Sequence, residues 1–299
     1  MQAKNIIIAV LAIALIGAVA FLLLTSGKDT VVIVEDSATN TPVEVLPTEP
    51  GGGIGDGEET VEEAAPNQEL SRESILGASV EGREIVAQHF GTGEKEILLV
   101  TGVHGGYSPN TSALGQELVQ FFTENEAVIP DNLRVTVIPL LNPDGATKEG
   151  SAGRFNAHKV DLNRNFDCDW SAKAIWRNEE VSGGTAAFSE PEAAALRDYV
   201  ETHDPIAAVV WFSAEGKVYP SACGATPSNA SVELAATFAT AAGYPTEATF
   251  SAYDITGDMV NWFAKQGIPA ISVLLSDHQN TEWSKNEAGI KAVLAKYAQ

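Results

Sequence analysis

Hydrophobic and polar positions are organised in three different ways along this chain. Residues 6–24 form an uninterrupted run of 19 apolar or Gly residues, close to the length a helix needs to cross a bilayer core. Phe21 to Leu24 runs straight into Thr25-Ser26-Gly27 with no small-x-small cleavage pattern. The pattern therefore predicts an uncleaved membrane anchor over residues 1–28, with a cleaved signal peptide as the alternative. Residues 29–69 show neither helical nor strand periodicity. Gly51-Gly52-Gly53 and several prolines mark them as an extended, disordered linker, in which Val31 to Val34 is either a short strand or an apolar patch.

From residue 70 onward, short apolar runs alternate with amphipathic stretches. Residues 97–103, 133–140, 206–212 and 270–275 read as buried strands, and residues 111–123, 190–202, 228–242 and 284–297 as helices. Ser189-Glu190-Pro191-Glu192 predicts a helix start, with Ser189 as N-cap, Pro191 in the first turn and Glu192 closing a capping box. This order implies a single α/β domain over residues 70–299, with a mostly parallel mixed sheet covered by helices on both faces. Chemistry in such sheets gathers at the C-terminal strand ends.

Charge sharpens this picture. The chain has 40 Asp plus Glu against 18 Lys plus Arg, for a net charge of -22. Such a field repels phosphate, so nucleic acid is excluded as a partner. Eleven of the acidic residues lie within residues 29–69, which contain no Lys or Arg, and this lysine-free stretch beyond Lys28 places the C-terminal bulk outside the cell. The chain reads as a single-pass protein of the cell membrane with an extracytoplasmic domain. In that oxidising setting Cys168 and Cys223 are expected to form a disulfide, with two buried thiols as the alternative. Closing a loop of that length contributes roughly 4 kcal/mol in the chain-entropy picture.

Four segments after the predicted strands concentrate polar chemistry: His104-Gly105-Gly106-Tyr107-Ser108, Asn142-Pro143-Asp144-Gly145, Arg154 through Phe166, and Asp254-Ile255-Thr256-Gly257. Within the third, Asn163 and Arg164 are suited to gripping an anionic terminus, because an Arg fork binds a carboxylate bidentately. A structural ion pair with one of the many acidic residues is the competing reading.

Together these motifs resemble the zinc metallocarboxypeptidases of the carboxypeptidase A-like family. The carriers are H-G-G-Y, N-P-D-G, G-R-F-N followed by V-D-L-N-R-N-F, a Trp-Arg and S-G-G run, S-E-P-E, Y-x-x-T-G and a late G-I-P-A strand. The resemblance implies that Arg154, Asn163, Arg164 and Tyr253 correspond to the residues that polarise the scissile carbonyl and clamp the substrate's terminal carboxylate. It also implies zinc held by a His and a Glu of the first turn and a later His, with a Glu base on the last strand. His104 matches the first ligand. Tyr107 and Ser108 stand where the Glu is expected, Phe212 where the second His is expected, and Leu274 where the base is expected.

One imidazole does not hold zinc at useful affinity, and without a metal and a carboxylate there is no activated water. The expectation is therefore a pseudopeptidase that binds no metal tightly. Its ligands would be peptides with a free C-terminal carboxylate, or cell-wall stem peptides. The alternative is an active carboxypeptidase with a zinc site rebuilt from Glu215, Asp277 or His278.

Overall fold

Strands buried on both faces form the centre of the sheet, and β7 (Ala207–Ser213) shows how the sequence produces this. Ala207, Val209 and Trp211 join one apolar cluster, while Ala208, Val210 and Phe212 join the other. A continuous apolar run is therefore required, since every side chain of the strand meets a packed layer. β3 (Lys95–Val100) and β9 (Ala270–Leu275) alternate in the same way.

The computed structural model describes residues 72–224 and 226–298. The anchor expected at 1–28 and the linker at 29–69 lie outside these residues. Among the described residues no helix is long and apolar enough to cross a membrane.

The main sheet has seven strands in the order β1-β2-β4-β3-β7-β9-β8. Its further members are β1 (Glu73–Ala78), β2 (Glu84–Phe90), β4 (Leu133–Ile138) and β8 (Lys217–Pro220). The four central strands β4, β3, β7 and β9 are mutually parallel. The pairings of β1 with β2, β2 with β4 and β8 with β9 are antiparallel, so the sheet is parallel only in its centre. One face is covered by α1 (Pro109–Glu124), α4 (Asn229–Ala242) and α6 (Trp283–Tyr297), whose Leu114, Phe238 and Ile290 pack with Leu99 and Trp211. The other face is covered by α3 (Pro191–His203) and α5 (Met259–Lys265), through Leu196, Trp262 and Phe263. The short helix α2 (Pro143–Ala146) follows β4, and β5 (Lys173–Trp176) with β6 (Glu179–Ser182) forms a separate antiparallel hairpin.

Two local expectations are corrected. β3 and β4 end at Val100 and Ile138, short of residues 103 and 140. Gly102 turns the chain with a φ of 65°, and Thr101 Oγ1 donates to the carbonyls of Ile138 and Pro139. At α3 the N-cap is Glu190 with no side-chain cap bond, so the Ser189–Glu192 capping box does not form. Glu192 is buried and accepts from Val80 N and Asn156 Nδ2, a tertiary use that removes it from the helix end.

Candidate functional site

The turn after β3 delivers His104 to the C-terminal end of the parallel strands, where a cavity of about 950 Å³ opens. His104, Tyr107, Arg154, Asn163, Arg164, Phe212, Tyr253 and Leu274 all line it, so these sequence-selected residues converge on one site. Ser108 lies buried beside it, with Oγ 3.5 Å from His278 Nδ1. Register explains the apolar wall. Phe212 of β7 pairs with Leu274 of β9, and side-chain alternation turns both to the cavity while Leu275 enters the opposite core.

Asp161 organises the polar wall. Its Oδ2 accepts from Arg154 Nε at 2.8 Å and pairs with Nη2 at 2.8 Å, while Oδ1 accepts from Asn163 N. Burial alone would raise the Asp161 carboxyl, but Arg154, the contact with His104 and the field of Arg164 outweigh it and hold it well below the usual carboxylate range. Arg154 Nη1 lies 3.3 Å from His104 Nδ1. A guanidinium only donates, so this nitrogen accepts, and the imidazole proton is assigned to Nε2. Nε2 faces Asp161 Oδ1 at 3.4 Å without a well-formed hydrogen bond. Burial, then the charge of Arg154, lowers His104 from 6.5 to about 4, so the ring is neutral at pH 7.

Arg154 is roofed by the β5–β6 hairpin. Its guanidinium lies 4.5 Å from the Trp176 ring centroid and 5.7 Å from that of Tyr107. Arg177, at the hairpin tip, donates to the Tyr107 hydroxyl at 3.1 Å.

Arg164 has a different environment. It is 1% exposed, donates Nη1 to the carbonyl of Asn163 at 2.7 Å, and donates Nε and Nη2 to the carbonyl of Ile175 at 3.2 Å each. Among the described residues no carboxylate forms an ion pair with it. Its guanidinium lies 5.9 Å from the Tyr253 ring. The Tyr253 loop is held against the Arg164 segment because Phe166 N donates to Gly257 O and Gly257 N to Cys168 O. Gly257 has a φ of 64°, and a Cβ there would lie 2.2 Å from the carbonyl oxygen of Arg164, so only glycine permits this approach.

Asn163 is engaged at both ends. Its Nδ2 donates to Asp258 Oδ2 at 2.8 Å, and its Oδ1 accepts from Met259 N. Burial raises the Asp258 carboxyl, partly offset by the Asn261 amide, Arg164 and Asn163. Asp161, Trp176 and Asp258 were not singled out as site residues from sequence. The V-D-L-N-R segment and the Trp-Arg run carried a visible signal for the first two. Cys168 and Cys223 form the expected disulfide, with Cα atoms 5.8 Å apart.

The sequence profile described as zinc carboxypeptidase matches residues 59–295. The chain belongs to the zinc carboxypeptidase family. Among curated relatives, the human carboxypeptidase N catalytic chain is 32% identical over 141 residues, which is 38% of this chain and 29% of that protein. Carboxypeptidase D of Anas platyrhynchos is 34% identical over 124 residues, 36% of this chain and 9% of that protein. The alignments thus span less than a third of either relative's length. Among solved structures, carboxypeptidase A from Helicoverpa armigera superposes with a TM-score of 0.62 at 19% identity, covering 76% of this chain and 68% of that one. The murein-tripeptide amidase MpaA from Escherichia coli O157 gives 0.55 at 19% identity, covering 75% and 92%. Both show the fold.

The family's metal is zinc, and the donors at this site of the zinc carboxypeptidase fold do not fit it. His104 Nδ1 already accepts from a cation, and Phe212 packs 5.4 Å from the imidazole, ring centroid to ring centroid. Leu274 offers no donor. The residues considered for a rebuilt set are engaged elsewhere. Glu215 accepts from the Tyr219 hydroxyl, Asp277 accepts from Gln279 N and from Asn280 N and Nδ2, and His278 packs against Tyr107. Among the described residues, the one trio of metal-type side chains within coordinating reach of one another is Cys168, Asp169 and Cys223, and its two sulfurs are bonded together.

Proposed function

We propose that this zinc carboxypeptidase-family domain is a non-hydrolytic receptor for peptides bearing a free C-terminal carboxylate, tethered to the cell membrane by residues 1–28 and displayed outside it on the acidic linker 29–69. The observation that carries the reading is Arg164, a buried guanidinium on the cavity wall with no ion-pair partner among the described residues. Three of its five N–H groups reach backbone carbonyls, leaving one on each terminal nitrogen for the two oxygens of a carboxylate. Arg154 does not compete for that ligand, because Asp161 balances its charge. Its role in this reading is to hold His104 and present the remaining N–H groups to the peptide's last carbonyl.

A cell-wall stem peptide is one form such a ligand takes, in keeping with the murein-tripeptide amidase among the proteins of this fold. The net charge of -22 argues against nucleic acid. Hydrolysis has no support in the donor set. Among the described residues, the carboxylate beside His104 is Asp161, which is committed to Arg154 and held far below the range of a general base.

Calorimetric titration of the metal-stripped full chain, disulfide intact, with zinc tests the non-hydrolytic half of this reading. No uptake is expected. One tightly held zinc per chain, with metal-dependent release of C-terminal residues, would instead show an active carboxypeptidase with a rebuilt site.

A further inference from the structure

We propose that the cavity beside Arg164 selects peptides ending in Asn or Gln, with Asn261 and Ser272 hydrogen-bonding the terminal side-chain carboxamide. The inference rests on the carboxylate-receptor reading above and adds which side chain the last residue carries.

A carboxylate held by Arg164 fixes where that side chain goes, because it branches from the carbon bonded to the carboxylate. Asn163, the neighbour of Arg164, leads from the clamp to Asn261. Its Nδ2 donates to Asp258 Oδ2 at 2.8 Å, and Asp258 Oδ1 accepts from Asn261 N at 2.8 Å. Asn261 and Ser272 both line the cavity. Ser272 stands two residues before Leu274 on the same face of β9, so it lies one step deeper along the strand than the apolar wall.

The orientation of the Asn261 amide is set by the backbone. Its Oδ1 accepts from Ala222 N at 3.0 Å, which assigns the other terminal atom as the donor Nδ2. Both residues are half-buried, and among the described residues neither Asn261 Nδ2 nor Ser272 Oγ has a hydrogen-bond partner. Together they present amide donors and a hydroxyl that donates or accepts.

Nearby charges decide which side chain suits these groups. Buried Asp258 already accepts from Asn163 and from the Asn261 backbone. A second ligand carboxylate would meet its field with Arg164 already committed to the terminal carboxylate. An ammonium brings only donors and would face the donors of Asn261 Nδ2. Glu215, a further carboxylate of the cavity, is taken by the Tyr219 hydroxyl at 2.8 Å and pairs with Lys217. An aliphatic side chain would strand Asn261 Nδ2 and Ser272 Oγ away from water. A carboxamide matches both, its oxygen accepting from Nδ2 and its NH2 donating to the Ser272 hydroxyl.

The test titrates the oxidised full chain by calorimetry with four peptides identical except for a last residue of Asn, Leu, Asp or Lys, and with the C-terminal amide of the Asn peptide. Asn, Leu and Asp are nearly equal in size, so they separate polarity from fit. The Asn acid is expected to bind at least about tenfold more tightly than the Leu, Asp and Lys acids. Ser272→Ala, and Asn261→Asp, which keeps an Oδ for Ala222 N, should each cut the Asn-over-Leu ratio at least about threefold. A merely structural role would weaken the peptides alike and leave the ratio in place. Equal affinities for the four acids, a preference for Leu, Asp or Lys, or a ratio that survives both substitutions overturns the selectivity and leaves the carboxylate receptor standing. Binding of none of the acids, or equal binding of the Asn acid and its amide, overturns the receptor reading and this inference with it.

Discussion

At the scale of single residues, the polar wall of the site turns on what His104 Nδ1 faces. Its partner is Arg154 Nη1, a cation that is covalently part of the chain and already balanced by Asp161. Phe212 and Leu274 then fill the wall with apolar surface, where unpaired ligating groups would carry a desolvation cost. Among the described residues, Arg164 is the buried cation on the cavity wall without an ion-pair partner, whereas Arg177 at the hairpin tip bonds the Tyr107 hydroxyl. Charge-assisted hydrogen bonds contribute about 1.5–3 kcal/mol each, so Arg164→Ala should weaken a free-acid peptide by about 100-fold while its C-terminal amide changes little. Calorimetry on both peptides checks this, and a variant that binds the acid as well as the parent chain does would remove Arg164 from the site.

The elements show why part of this was legible in sequence. β7 and β9 are buried on both faces, so their continuous apolar runs predict them to within a residue, and Phe212 and Leu274 could be placed at strand ends. β1 was not predicted, because its burial pattern mixes exposed and half-buried positions with no strict alternation and leaves Ile75 59% exposed. β5, β6 and β8 have four residues each, too short for periodicity to register. The motifs located His104, Arg154, Asn163, Arg164 and Tyr253, because chemistry at a strand end depends on residue type and order. They did not reveal that Arg154 is internally paired and Arg164 is not. That distinction depends on the three-dimensional placement of Asp161 and of the Ile175 carbonyl in the hairpin, which local spacing does not encode. Ser189–Glu192 failed as a capping box for the same reason, since a tertiary partner claimed the Glu192 side chain.

Across the whole molecule, buried imidazoles govern the response to acid. Burial, with the charges of Arg134 and His203, lowers His89 from 6.5 to about 4, and burial with Arg154 does the same to His104. In the unfolded chain both take protons near 6.5, so between that value and about 4 the unfolded state binds more protons than the native one. Stability therefore rises with pH through this window and is lost as pH falls through it. Asp258 and Glu192, raised by burial, act in the opposite sense at the lower, carboxylate end of the range. The urea midpoint should accordingly drop between pH 6.5 and about 5, with the His89 and His104 imidazoles still neutral by NMR in the folded chain. A midpoint that is flat or rises on acidification over that interval would show the rings to be accessible to protons in the native state.

The central claim is that a metal-free pocket recognises a terminal carboxylate, and one comparison reaches it most directly. A peptide and its C-terminal amide are titrated into the oxidised full chain in the presence of a strong chelator. The Arg164 geometry predicts that the acid binds at least about tenfold more tightly than the amide, that neither peptide is cleaved, and that the chelator changes nothing. Equal affinities for acid and amide, or binding of the acid that disappears when the chelator is added, would contradict it.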